Sequence, residues 1–223
     1  MRMKTKWPPD PAETIARIAE PIRLINEALT FGADEGVKHH ETRKREVDPW
    51  MYAHVVRDDA KHYMLNGGIE AMGFEVAKIA NSGVFLRSEH IYIRVLKSAQ
   101  VFNPMTGKFE RGVPVPGSQL RREYFHQTSL PFSVPMLIPI EMPLKLVVLW
   151  EQDDLHQLGG LELACPKQWS ASRNCVDTYW LVPLDVTAAD FGLSGLTEDE
   201  PILLEDLQPR EAADGERAAS NDS

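Results

Sequence analysis

Three side chains of types that bind metals are spaced four residues apart in the segment 48–65. They are His54, Asp58 and His62, and this spacing places them along one face of the helix that the segment is predicted to form. Three ligands stacked along two helical turns are too extended for one ion to take all three. A metal would need two of them and further ligands from elsewhere, and the sequence identifies no such partner. We therefore expect a solvated polar face, with no metal and no cofactor.

The two cysteines, Cys165 and Cys175, lie near the neighbouring ends of two strands that are predicted to pair. A nucleophilic cysteine needs a histidine and an orienting group close to it. His156 lies in the turn before Cys165, but the spacing does not place it beside either thiol. Two cysteines are also too few for a disulfide framework or for a zinc site made of cysteines alone. The sequence favours two ordinary buried thiols.

The predicted order of elements between residues 48 and 150 is helix, three strands, helix and strand. The restriction-endonuclease-like nucleases share this order, and they use an acid and an acid-x-Lys pair on adjacent strands to hold Mg²⁺ and activate water. Lys97 ends the third predicted strand, but the residue two positions earlier is Val95, which cannot bind a metal. Glu75 and Glu89 do not restore the pair. An active nuclease of this type is not expected, whereas a catalytically degenerate relative stays open.

Basic residues provide a candidate surface for nucleic acid. The stretch 38–45 holds six residues that can carry positive charge, interrupted by Glu41. No aromatic side chains are interleaved for base stacking, so a solvated connector is the competing interpretation. If the protein contacts nucleic acid, the predicted contact residues are Arg43, Lys44, Arg45, Arg94 and Lys97.

Charge and motif content exclude several classes of function. The net charge is −9, but the segment from Glu198 onward contains nine acids against two arginines, which leaves the rest of the chain close to neutral. Wide, non-specific binding of nucleic acid is therefore not expected. The sequence has no P-loop, GxGxxG, HExxH or GxSxG motif. No apolar run approaches the roughly 20 residues that span a membrane, and no signal peptide is recognisable, so we predict a cytoplasmic protein without a membrane segment.

Helices are predicted in the first third of the chain. Segment 11–31 carries one apolar stripe, and Pro21 within it should kink or split the helix. A polar connector is expected up to residue 47, and Asp48 with Pro49 then opens a second helix that runs to about residue 65. The stripe consists of Ile15, Ile18, Ile22, Ile25 and Leu29.

Strands are predicted in two groups of three, and each group is joined by short turns. The first group covers 74–79, 84–89 and 91–96, and the second covers 145–151, 159–165 and 176–182. Between them we expect a loop over 103–117 and a short helix over 118–127. This pattern predicts an α+β fold with a mostly antiparallel sheet of about six strands, N-terminal helices and one inserted helix. The predicted organisation is an N-terminal helix and connector (1–47), one α+β domain (48–196) and an acidic, disordered tail (197–223).

The tail contains a small apolar island, Pro201–Leu207, between acidic residues. Such a segment can fold as a helix into a groove of a partner, or it can cap the chain's own sheet. Its predicted partner-binding residues are Ile202, Leu203, Leu204 and Leu207.

Four segments resemble, as a set, a group of bacterial proteins, mainly actinobacterial, for which no activity is established. They are DPWMYAHVVRDDA, NSGVFLRSEHIYIRVLK, PLKLVVLWEQDDLHQLGGLELACPK and YWLVPL. The resemblance covers about residues 48–184. It implies a single intracellular domain and supplies no catalytic residues.

The sequence favours a non-enzymatic, intracellular protein that acts by interaction or regulation. Its partner would be another protein or a second copy, which the apolar stripe of the first helix could contact. The alternative is a nucleic-acid-associated accessory protein, including a catalytically degenerate restriction-endonuclease-like nuclease.

Overall fold

Three helices precede a large mixed sheet, and a fourth helix is inserted between its strands. The computed structural model describes residues 7–44, 46–77, 83–103, 106–127, 143–185 and 192–193. The helices are α1 (Pro11–Arg17), α2 (Ala19–Thr42), α3 (Pro49–Asn66) and α4 (Gln119–Tyr124). The strands are β1 (Glu75–Val76), β2 (Val84–Arg87), β3 (Ile91–Lys97), β4 (Ala99–Asn103), β5 (Lys108–Gly112), β6 (Leu144–Gln152), β7 (Leu158–Ser170), β8 (Cys175–Asp185) and β9 (Gly192–Leu193).

The main sheet has seven described strands in the order β1-β2-β3-β6-β7-β8-β9. All neighbouring pairs are antiparallel except β3 and β6, which are parallel from Ile91 opposite Leu144 to Lys97 opposite Trp150. A parallel pair needs a long crossover connection, and this connection carries the separate β4–β5 hairpin and α4. The predicted α+β class, with N-terminal helices, one inserted helix and a mostly antiparallel sheet, is confirmed.

The two faces of the sheet bury two separate apolar clusters. Alternate residues of a strand point to opposite faces, so Ile93 and Leu146 join the cluster that contains the N-terminal helices, while Leu96 and Val147 belong to the other cluster. The second cluster is completed from the crossover by Val113, Tyr124 and Phe125. The helices α1–α3 therefore cover one face, and the crossover covers part of the other.

The N-terminal helix splits in two, as its proline predicted. The break lies at Ile18, where φ is −118° and ψ is 17°, three residues before Pro21. Pro21 falls in the first turn of α2, where its missing N–H removes no intrahelical hydrogen bond.

The apolar stripe of α1 and α2 is 0–2% exposed within this chain. The indole of Trp180 on β8 donates to the Pro9 carbonyl at 2.9 Å and holds the start of α1 against the sheet. The stripe is thus not a surface for a second copy.

Two predicted loops are wrong in part. The polar connector after residue 31 is helical as far as Thr42, because small residues on one face of α2 bring it close to α3; Ala28, Gly32, Ala33 and Gly36 are all buried. The segment 103–117, predicted as a loop, contains β5, which pairs with β4.

None of the described helices combines the length and the hydropathy of a membrane-spanning helix.

The start of α3 and the second group of strands are confirmed. The Asp48 carboxylate accepts from the N–H groups of Trp50 and Met51 at 2.8 and 2.9 Å, and Pro49 occupies the first helical position. The strands β6, β7 and β8 lie where the sequence predicted them and are longer at their ends. Bulges at Pro166 interrupt the pairing of β7 with β8, since proline has no N–H to donate to the ladder.

Candidate functional site

The β4–β5 hairpin presents an exposed aromatic pair. Phe102 and Phe109 are cross-strand partners, and their rings meet edge to face with centroids 5.5 Å apart. They remain 50% and 69% exposed. Gly107 forms part of the turn between the strands with φ of +67°, a backbone conformation that glycine adopts without strain. Large aromatic side chains left together at the surface are typical of contact sites.

A groove of about 260 Å³ runs between this hairpin and the first half of β8. Its apolar lining comes from Val101, Phe102 and Val113 on one side and from Val176 and Leu181 on the other. The floor is continuous with the second apolar cluster, which includes Val113 and packs against Val176 and Leu181. The strand β8 of the main sheet therefore forms one side and the floor of the groove, and the β4–β5 hairpin forms the other side.

Two arginines line the groove together with carboxylates. Arg111 pairs with Glu151 at 2.5 Å and with Glu162 at 3.6 Å. Burial raises the pKa of Glu162, while the charge of Arg111 acts in the opposite direction. Arg173, in the turn before β8, pairs with Asp177 on β8. The side chains of Arg111 and Arg173 are 41% and 48% exposed, so each has N–H groups that can donate to a further carboxylate.

Both cysteines are buried and neither is in a disulfide. They are not cross-strand partners, since Cys165 lies opposite Trp180 and Cys175 opposite Ser170. Burial raises the pKa of Cys165 to about 12, which keeps it a thiol, and burial also raises the pKa of Cys175. A reactive cysteine needs the opposite shift.

His156, which precedes Cys165 in the sequence, contacts Tyr52 and Gln152. Its carbonyl accepts from the hydroxyl of Tyr52, and its Nδ1 contacts Gln152. Gln152 in turn accepts from the ammonium of Lys97 at 2.8 Å. These contacts tie the β6–β7 turn to α3 and to the end of β3.

The three candidate metal ligands of α3 make contacts of other kinds. The His54 ring contacts that of Trp50 at a tilt of 58°, with centroids 4.2 Å apart, and burial lowers the pKa of His54. Asp58 is exposed, and only its backbone carbonyl contacts the His62 ring, at 2.9 Å. Within the part of the chain that the structure describes, no group of three His, Cys, Asp or Glu residues is arranged to hold a metal.

The candidate nucleic-acid residues fall in different places. Arg43 and Lys44 are exposed just after the end of α2, and Arg45 lies outside the described residues. Arg94 and Lys97 point to opposite faces of the sheet, because Arg94 stacks on Tyr124 of α4 whereas Lys97 lies over Trp150 of the helix-covered core. The segment Pro201–Leu207 and its four predicted partner-binding residues also lie outside the described residues.

Comparison of this chain with protein-family models, with curated proteins and with solved structures found no match. The function must therefore be inferred from the geometry of the chain.

Proposed function

We propose that this protein acts in the cytoplasm as a non-enzymatic interaction or regulatory protein, and that it binds its partner through the groove between the β4–β5 hairpin and β8. The observation that carries the proposal is the exposed pair Phe102 and Phe109 beside an apolar groove. Aromatic anchors of this kind contribute most of the binding free energy of many protein interfaces. The unpaired thiols of Cys165 and Cys175 are compatible with a reducing compartment.

The partner that fits the groove is a short segment with apolar side chains next to carboxylates. Apolar side chains would cover the groove floor, and carboxylates would reach Arg111 and Arg173 at its rim. The chain itself contains such a segment in Pro201–Leu207. We propose that this segment occupies the groove until a partner of like chemistry displaces it.

The direction of β9 and the length of chain that follows it support this proposal. Leu193 pairs with Leu184 and Gly192 with Asp185, so β9 itself runs in the direction of the start of β8. Eight residue steps separate Leu193 from Pro201, and an extended chain covers about 26–29 Å in eight steps. The distance along β8 from Leu184 back to Asp177, in the groove, is about 23 Å at the usual rise per residue.

The test uses a labelled peptide of residues 199–209 and the full-length protein. A Leu203→Ser/Leu204→Ser protein, in which the internal segment is weakened, should bind the peptide at least tenfold more tightly than the wild type in a fluorescence polarisation assay. Adding Phe102→Ser and Phe109→Ser should remove this binding, because the hairpin wall loses its aromatic contacts. These two side chains are exposed, so their replacement should leave the fold intact.

The matched control is Leu155→Ser, which removes an apolar side chain that is 77% exposed in the β6–β7 turn. It should leave peptide binding unchanged. Binding that survives loss of both phenylalanines would show that the hairpin is not the contact surface. Equal affinity of the wild-type and the Leu203→Ser/Leu204→Ser protein would show that the internal segment does not occupy the groove.

A further inference from the structure

The groove beside the β4–β5 hairpin follows the backbone edge of β8. Side chains along a strand point alternately to opposite faces of its sheet, so a groove over one face would be lined by every second residue. This groove is lined by four consecutive residues of β8, namely Cys175, Val176, Asp177 and Thr178. Val176 packs on the second apolar cluster, whereas the thiol of Cys175 and the carboxylate of Asp177, 3.8 Å apart, share the opposite face. The groove therefore reaches both faces of β8, and the edge of the strand lies between them.

The structure describes a strand neighbour on only part of this edge. β7 pairs with β8 on one side from Cys175 to Leu184. On the other side, the described residues provide a neighbour only at Leu184 and Asp185, which lie opposite β9. The backbone N–H and C=O groups of a strand edge are ready partners for an added strand. An extended segment that lies in the groove can therefore pair with β8 between Cys175 and Pro183.

We propose that the segment Pro201–Leu207 binds the groove as an antiparallel strand added to the edge of β8, and that a displacing partner binds in the same extended form. This mode of binding rests on the proposed function, since it specifies how the segment occupies the groove. It also specifies the partner, which is an extended peptide recognised through its backbone as well as through its apolar and acidic side chains.

The register of β9 supports this mode of binding. β9 is antiparallel to β8, with Leu193 opposite Leu184. A chain that continued this register for eight residues would bring Pro201 opposite Val176, which lines the groove. The tail therefore requires no reversal of direction to extend the pairing that β9 begins.

A strand fits this edge better than a helix does. A helix pairs its own N–H and C=O groups, so it would offer no backbone partner to the edge of β8. The segment is also shorter than the roughly 12–15 residues at which isolated helices become marginally stable. An added strand gains backbone hydrogen bonds with β8. Pro201 is compatible with this mode, because the missing N–H of proline is tolerated at the first residue of a strand.

The experiment measures binding of the peptide of residues 199–209 to the Leu203→Ser/Leu204→Ser protein by fluorescence polarisation, with two N-methylated forms of the peptide. One form is methylated at the backbone nitrogens of Leu203 and Glu205, and the other at those of Leu204 and Asp206. Successive N–H groups of a strand point to opposite edges, so only one of the two sets faces β8. We expect one methylated peptide to bind at least tenfold more weakly than the unmodified peptide, because two hydrogen bonds are lost. The other methylated peptide should bind as the unmodified peptide does.

The two methylated peptides are matched controls, since they carry the same number of methyl groups on the same sequence. Undiminished binding of both would show that the peptide backbone does not pair with β8, and would overturn the strand mode. Loss of binding by both would also overturn it, because methyl groups in either set remove hydrogen bonds that a helix needs. Either result leaves the groove as the partner site, since the unmodified peptide still binds. Absence of binding by the unmodified peptide would overturn the proposed function and the strand mode together.

Amide hydrogen exchange of the full-length proteins gives a second measurement. The N–H groups on the outer edge of β8 between Val176 and Val182 should exchange at least tenfold faster in the Leu203→Ser/Leu204→Ser protein than in the wild type. Adding the unmodified peptide should restore their protection. The N–H groups of β6, which has a strand neighbour on each side, are the internal control and should exchange equally in both proteins. Exchange of the β8 amides that responds neither to the substitutions nor to the peptide would overturn the strand mode.

Discussion

Between pH 9 and pH 12 the free energy of unfolding is expected to fall by several kcal/mol. Burial raises the pKa of Tyr52 from 10.0 to about 12 and that of Cys165 from 9.0 to about 12. Burial also raises the pKa of Tyr124. All three side chains are at least 93% buried, which disfavours their charged forms. The folded protein therefore holds protons that the unfolded chain releases.

The sign and size of the effect follow from proton linkage. Below the pKa of the unfolded chain both states are protonated, and the stabilisation is fully present. The stabilisation is lost as the pH rises from the pKa of the unfolded chain to the raised pKa of the folded state. In this interval only the unfolded chain is stabilised by losing its proton. One pKa unit corresponds to about 1.4 kcal/mol, so Tyr52 contributes roughly 3 kcal/mol and Cys165 roughly 4 kcal/mol to the expected loss.

Urea denaturation followed by circular dichroism at one-unit pH steps from 7 to 12 measures this loss. In Tyr52→Phe the decline between pH 10 and pH 12 should be shallower by about 2 kcal/mol, because the full effect is reached only above the folded pKa of about 12. The same variant should lose about 1 kcal/mol at pH 7, since the hydroxyl no longer donates to the His156 carbonyl. Phe31→Leu, at an exposed aromatic position of α2, is the control and should keep the wild-type pH dependence. A Tyr52→Phe decline as steep as that of the wild type would contradict the assignment.

The elements that the sequence predicted correctly are those with strong local signals. Asp48 and Pro49 fix the start of α3 through a side-chain cap and a preset φ angle. In β7, Leu163 faces the helix-covered core, and the period of two predicts this. Ala164, which the same period places on the opposite face, is also fully buried, because the crossover covers that face. Periodicity identifies a strand but does not show whether a distant segment covers its other side.

The candidate groove could not be predicted from local pattern because its walls are far apart in the chain. Val101 and Leu181 meet across it, and no contiguous motif joins them. The hairpin itself had a signal in the sequence: apolar Val101 and Phe102 precede the residues Asn-Pro-Met-Thr-Gly, a composition typical of turns, and Phe109 follows them. The proline and glycine content of 103–117 instead predicted a loop.

The continuation of α2 to Thr42 depends on a close approach that composition does not show. Gly32 lies against the backbone of Val56 in α3, and a Cβ atom at Gly32 would stand 3.1 Å from the Val56 carbonyl carbon and closer still to its oxygen. Val56 is itself buried, and its backbone is fixed within α3. Neither partner of this contact can move without separating the two helices.

Replacing Gly32 by alanine is therefore expected to destabilise the protein by about 2–3 kcal/mol, the upper part of the usual 1–3 kcal/mol range for overpacking a core, because the Cβ atom would meet backbone atoms. In an exposed helix the same change stabilises by roughly 0.5–1 kcal/mol, so the sign of the effect reports the packing of α2 on α3. Urea denaturation at pH 7 measures it. Gly117→Ala is the control, because a Cβ atom there meets nothing within 4 Å, and it should change the stability by less than about 0.5 kcal/mol.

The Gly32→Ala variant also connects the two predictions. Because α3 carries Tyr52, a displacement of α3 from α2 should draw the Tyr52 hydroxyl away from the His156 carbonyl and admit water to it. The pKa of Tyr52 should then move back towards its ordinary value, and the alkaline loss attributed to this residue should shrink in the variant. A Gly32→Ala protein that is as stable as the wild type, with an unchanged alkaline transition, would show that α2 and α3 are not packed backbone against backbone at this point.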